Sequence, residues 1–282
     1  MVDGCLRIAV NARLGFESRH RSKPALHPSQ PLGVQIGECK SKGWSRMKWL
    51  GIVAALVALA IVAYGVAYPS LTLRYRLTLE AEVDGKPKTG SGVIEVIYSK
   101  QPEFASGRDR VSSRRGEAVV LDLGERGTLF ALLKAGSDNR SIPESIVLRA
   151  FNFPGGAFPG PTVEAGFNQI RKLSGKRELP LTSLPLLVRF RDLNDPMTAE
   201  KVDPIDIASS FGAGTRLVRA TLEIVPTGLW PLNSFGITGE PITKGIEQRL
   251  AWFKALRGKY LHGGGSARGA PLELDGGDFA TD

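Results

Sequence analysis

Residues 71–83 read LTLRYRLTLEAEV. Leu71, Leu73, Tyr75, Leu77, Leu79, Ala81 and Val83 alternate with Thr72, Arg74, Arg76, Thr78, Glu80 and Glu82. A period of two sustained over this length predicts a strand with one buried and one wet face. Asp84-Gly85 follows as a turn signal, and VIEVIY at 93–98 is the expected antiparallel partner. The intervening KPKTGSG, 86–92, reads as a loop longer than a two-residue hairpin.

Further β-prone runs lie at 118–123, 128–133, 146–151, 186–191 and 217–225. The first two flank Gly124-Glu125-Arg126-Gly127, a tight hairpin signal. In the last, Val218, Ala220, Leu222 and Ile224 are expected to share one face, with Arg219, Thr221 and Glu223 on the other. Helices are fewer and short. Val163, Phe167 and Ile170 recur at helical spacing between Pro161 and Gly175. Asp203, Pro204 and Asp206 precede a short helix at 207–211 that Gly212 can end, and a third helix starts near Thr243 and buries Ile246, Leu250 and Phe253. Seven strand candidates with two or three short helices predict an α+β fold, mainly antiparallel sheet or sandwich.

Upstream of the first strand, residues 49–68 read WLGIVAALVALAIVAYGVAY, twenty residues without a charge. At about 1.5 Å per residue they cross a hydrocarbon core of about 30 Å, which makes the lipid bilayer the first expected partner. Trp49 at one end and Tyr64 and Tyr68 at the other suit the two interfaces. Arg46 and Lys48 before the span, and Glu80, Glu82 and Asp84 beyond it, place the amino terminus in the cytoplasm and the folded part outside. The competing reading is a cleaved signal peptide. The run exceeds the about 7–15 apolar residues of a signal core, although Gly65-Val66-Ala67 offers small residues for cleavage.

The charge supports this layout. The chain carries +9, which by itself suggests nucleic acid or an anionic surface. Yet residues 1–48 hold nine basic and three acidic side chains, so only +3 remains for 49–282, and no aromatic-interleaved basic strand supports nucleic acid. Both cysteines, Cys5 and Cys39, and two of the three histidines, His20 and His27, also fall in this leader. Disulfides and cysteine-ligated metal are therefore excluded downstream. Met47-Lys48-Trp49-Leu50 has the form of a translation start, so residues 1–46 are expected to be an untranslated extension, the alternative being a disordered basic tail. The expected divisions are this leader, an anchor at 47–69, an extracytoplasmic β-rich domain at 70–257, and a disordered Gly-rich tail at 258–282.

The chain has no G-x-S-x-G, P-loop or H-E-x-x-H, and its one downstream histidine, His262, falls in the expected tail. No cofactor is implied. The remaining catalytic candidates are carboxylates: Asp192, Asp195, Asp203 and Asp206. Positions 192, 194 and 203 echo a calcium loop, but Pro196 and Met197 stand where its turn needs other residues, and the bland reading is an Asx turn at Asn194 and Asp195 with Asp203 as a helix cap. Phe151, Phe153 and Phe158 on a Pro/Gly loop could line a ligand or partner patch, or fold back over the core. Arg108, Arg110, Arg114 and Arg115 read as a polar loop that could meet anionic lipid headgroups or polymer, or remain solvated. The leading expectation is a single-pass, membrane-anchored extracytoplasmic binding or scaffolding module of a bacterial cell envelope, with a possible envelope protein partner. The alternatives are a periplasmic hydrolase using an Asp/Glu pair and a soluble secreted protein released by cleavage.

Overall fold

The computed structural model describes residues 42–136, 141–158, 162–229, 231–256, 260–265 and 271–281. It divides at Ala55/Leu56, and the unit Leu56–Asp282 holds every described strand. Cys5, Cys39, His20 and His27 lie outside the described residues.

Helix α1, Lys42–Ala67, precedes the strands. From Trp49 to Ala67 it is apolar on all sides, and the stretch from Lys48 to Ala67, none of it buried by protein, is long and apolar enough to cross a membrane. Two residues later the alternating stretch forms β1, Ser70–Val83. Its partner β2, Lys86–Lys100, is longer than the pattern suggested. Asp84 and Gly85 both take positive φ, the signature of a two-residue type I′ turn, and KPKTGSG is strand rather than loop. Glycine serves a second purpose there. A side chain at Gly90 would run into the backbone of Val120 and Leu121, where the two sheets approach.

The remaining strands are β3 (Arg110–Glu117), β4 (Val119–Asp122), β5 (Thr128–Ala131), β6 (Lys176–Leu179), β7 (Leu187–Phe190), β8 (Ala199–Lys201), β9 (Thr215–Val225), β10 (Tyr260–Gly265), β11 (Pro271–Asp275) and β12 (Ala280–Thr281). They form a six-stranded sheet in the order β12-β3-β2-β1-β9-β6, a four-stranded sheet β4-β5-β7-β8, and a ribbon β10-β11. Every described pairing is antiparallel, so the fold is α+β with mainly antiparallel sheet.

The two larger sheets share a core. Leu73, Tyr75, Leu77 and Leu79 of β1 and Ile94, Val96 and Tyr98 of β2 pack with Val119, Leu121, Leu129 and Leu187 of the smaller sheet. The smaller sheet's other face, Phe130, Val188 and Phe190, is buried in a second cluster with Ile246, Leu250, Phe253, Leu274 and Phe279. Burial on both faces explains why 118–123 and 128–133 read as continuous apolar runs.

Three further elements of this region depart from the sequence reading. Of residues 146–151, expected as a strand, 146–150 belong to helix α3, Pro143–Ala150, and Phe151 is its C-cap. Pro143 stands at its start and Glu144 in its first turn, helix-start signals that outweigh the β-branched Ile146 and Val147. The phenols of Tyr75 and Tyr98 donate to the carbonyls of Pro143 (3.2 Å) and Glu144 (2.7 Å), fixing this turn on the sheet. Burial raises both phenol pKa values, which keeps them donors. In β9 the register against β1 shifts between Glu80 and Ala81, which pair with Arg219 and Leu217. Val218 is the extra residue of a bulge, so Leu217 is buried and Val218 exposed. Third, the described parts of 258–282 are structured rather than a free tail. Phe279 O and Asp278 O accept from Ala118 N and Leu133 N, each at 2.7 Å, and Leu274 and Phe279 are buried; His262 lies on β10.

The other helices are α2 (Glu103–Ser106), α4 (Val163–Ile170), α5 (Ala208–Phe211), α6 (Ile246–Arg249), α7 (Phe253–Leu256) and α8 (Gly276–Phe279). The α4 helix buries Val163, Phe167 and Ile170 as their spacing requires, and the Thr162 side chain caps it through Ala165 N at 3.2 Å.

Candidate functional site

The second face of the six-stranded sheet holds a row of charges that register dictates. Arg74 on β1 stands opposite Glu95 on β2, and Glu95 stands opposite Arg115 on β3. Arg74 Nε donates to Glu95 Oε2 at 2.7 Å, and Arg115 Nη1 approaches Glu95 Oε1 at 3.5 Å. The side chains of Arg74 and Glu95 are each only 5% exposed, whereas Arg115 is 55% exposed. Charges this buried require paired, hydrogen-bonded partners. Arg74 obtains a further one in Glu240 O, 2.7 Å from its Nη1.

Asn233, Gly236 and the stretch from Pro241 to Gln248 border this row and leave a cleft of about 800 Å³. The chain leaves β9 at Val225 and closes a loop in which Glu240 N donates to Pro226 O at 2.9 Å and Leu229 N to Thr238 Oγ1 at 3.0 Å. It then crosses the sheet, where Thr243 exchanges hydrogen bonds with the backbone of Val93 and Ile246 N donates to the Glu117 carboxylate at 2.7 Å. Burial raises the Glu117 pKa above the usual carboxylate value, while the N–H groups of Ile246 and Gly245 act against the shift.

Arg74, Glu95 and Arg115 floor the cleft; Lys244, Glu247 and Lys254 stand around it, with Ala280 and Thr281 on the far side. Lys254 pairs with Glu247 at 3.3 Å. The loop that lends Asn233 and Gly236 to the cleft also carries Leu229, Leu232, Phe235 and Ile237, all exposed. A concave site charged at its base, beside a loop with exposed apolar side chains, is suited to holding a segment that has both polar and apolar side chains.

The catalytic candidates are elsewhere. Asp192, Asp195, Asp203 and Asp206 are all exposed, and none lines the cleft. Each accepts a local backbone N–H: Asp192 from Asn194 (2.8 Å), Asp195 from Met197 (2.9 Å), Asp203 from Ile205 (2.9 Å) and Asp206 from Ser209 (3.2 Å). These are the bonds of Asx turns and caps. Asp206, rather than Asp203, serves the first turn of α5.

The other candidates separate. Phe153 is buried in the main core, Phe151 lies beneath the Arg177 guanidinium at 5.1 Å, and Phe158 stacks between Tyr98 and Phe167. The arginine group is not in a loop. Arg110, Arg114 and Arg115 lie on β3, and alternation sends Arg114 to Glu144 of α3 at 2.9 Å on one face and Arg115 to the cleft on the other. Arg108 and Arg110 line a separate hollow with Phe158. Arg74, Glu95, Glu117, Lys244 and Lys254 were not singled out from sequence. Glu95 alone carried a signal, as a charge inside the apolar run VIEVIY. Comparisons with protein-family models, curated proteins and solved structures found no match to this chain.

Proposed function

We propose that this protein is a single-pass, membrane-anchored binding or scaffolding module of a bacterial cell envelope. Its amino terminus faces the cytoplasm, its β-rich domain lies outside the cytoplasmic membrane, and the cleft over Arg74, Glu95 and Arg115 receives a segment of an envelope protein partner. The observation that carries this reading is the cleft itself, which combines a fixed ion-pair floor with four exposed apolar side chains on the adjoining loop. Exposed apolar side chains beside a polar concavity are a mark of interaction surfaces. The apolar helix ending at Ala67 supports the anchor, and the basic residues before it support the orientation.

The test is site-specific photocrosslinking of the full chain in its native membrane. A crosslinking residue at Phe235 or Gln248 is expected to trap one partner, and the adduct is expected to disappear in Arg115→Glu/Lys254→Glu. The same probe at Glu125 is expected to trap none. Adducts equally abundant from all three positions, or insensitive to the charge reversal, would remove the cleft as the binding site.

A further inference from the structure

The loop joining β2 to β3 stands at the end of the six-stranded sheet where the chain leaves the apolar helix. Ser70 pairs with Ser99, Lys100 N donates to Pro69 O at 3.0 Å, and Gln101 N donates to Asp109 O at 2.8 Å to close the loop. Only Tyr68 and Pro69 separate Ala67 from Ser70. At no more than about 3.6 Å per residue, the loop's base stays within about 15 Å of the helix end. If the helix spans the bilayer, this loop is held at the headgroups by covalent connection.

Its surface chemistry matches that position. Phe104, on the four-residue α2, is 91% exposed, the highest value for a large apolar side chain among the described residues. The same loop contributes Gln101 and Arg108 to a hollow of about 840 Å³, lined also by Arg110, Val111, Ser112 and Phe158. Among the described residues, two arginines and no carboxylate line it, and Asp109 meets Arg110 at 2.7 Å beside it. Guanidinium groups bind phosphate oxygens in fixed geometry, and an aromatic tip is stabilised at a membrane interface.

We propose that the β2–β3 loop is a second, interfacial contact with the same bilayer, in which Phe104 enters the acyl boundary and Arg108 and Arg110 hold the phosphate of an anionic lipid headgroup. This rests on the anchor reading given above, and it adds a lipid contact that the anchor alone does not require.

The test uses the full chain with Cys5→Ser and Cys39→Ser, reconstituted into vesicles. Single cysteines replace Phe104, Val57 or Glu125, and each carries an environment-sensitive fluorophore. Glu125 adjoins Arg126, which pairs with Asp84 at the far turn of β1, so it reports the opposite end of the sheet. Lipid-borne spin labels are expected to quench positions 57 and 104 and to leave 125 unquenched. Quenching at 104 is expected to be stronger in phosphatidylglycerol than in phosphatidylcholine vesicles, and that difference is expected to be lost in Arg108→Gln/Arg110→Gln.

Quenching at 57 without quenching at 104 overturns the proposal and leaves the anchor standing; quenching at neither removes both. A blue-shifted but unquenched probe at 104 means a protein covers the loop, and overturns it. Equal quenching in the two lipids overturns the headgroup assignment. Loss of the difference on adding inorganic phosphate assigns the hollow to a soluble anion and likewise overturns it.

Discussion

Arg74 and Glu95 face each other across the β1–β2 pairing with Nε and Oε2 2.7 Å apart, both almost wholly removed from water. Deleting one partner of such a pair leaves a buried charge and costs about 3–5 kcal/mol, whereas an apolar pair of similar volume is often neutral. Arg74→Met alone is therefore expected to lower stability by about that amount. The double variant Arg74→Met/Glu95→Met is expected to recover most of it. Thermal and denaturant unfolding in detergent measure both. A double variant as unstable as the sum of its singles would contradict the pairing.

The close approach of the sheets at Gly90 gives a steric prediction. A methyl group there meets the Val120 carbonyl and Leu121 Cα, both backbone and unable to rotate away. Gly90→Ala is expected to destabilise by about 1–3 kcal/mol, as overpacking does. An unchanged unfolding midpoint would mean that the sheets are not in contact there.

The carboxyls of Glu117 and Asp278 both titrate above the usual range, with burial as the leading cause in each; backbone N–H groups oppose it in both, and Lys134 also does so for Asp278. An acid with a raised folded pKa binds protons more tightly when folded, so stability falls as pH rises from the unfolded to the folded value. Their contribution is complete below the unfolded carboxylate pKa, about 4, and is lost above the folded values. Glu117→Gln keeps an acceptor for Ile246 N. It is expected to melt higher than the parent at about pH 7.5 and level with it at about pH 4. A difference of the same size at both pH values would contradict burial as the cause.

The four candidate aspartates make a sharper distinction. If Asp195 only receives Met197 N at the start of its turn, Asp195→Asn is expected to change stability by less than about 0.5 kcal/mol, and Asp195→Ala to cost about 0.5–2 kcal/mol. Asn at 192, 203 and 206 is expected to leave partner crosslinking intact. Loss of a measurable hydrolytic turnover in any of these Asn variants would revive the carboxylate-enzyme reading.

What the sequence revealed follows from how local each signal is. The β1 pattern was legible because one face is buried along its length, and α4 because its apolar spacing and cap are contiguous. Residues 146–151 were misread because Ile, Val and Leu in succession fit a strand equally well, and the decisive Pro143 lies just outside the run. The last residues misled through composition: Gly-rich sequence conceals that Leu274 and Phe279 find partners more than 80 residues away in Phe130 and Phe190. The Val218 bulge has no local signature, since only pairing with Glu80 and Ala81 creates it. The cleft is less legible still. It arises where residues 241–254 meet strands far away in sequence, and its only traces were Arg115 in a basic group and a single Glu in an apolar run.

The central claim is a retained anchor with the folded domain on the outer side of the cytoplasmic membrane. The most direct measurement is labelling of Glu125→Cys, in the Cys5→Ser/Cys39→Ser background, with a membrane-impermeant maleimide on intact spheroplasts, followed by an alkaline carbonate wash. Labelling before lysis, with the protein still in the membrane pellet, is the predicted result. Labelling only after lysis would contradict the orientation, and recovery of labelled protein in the wash would contradict the anchor.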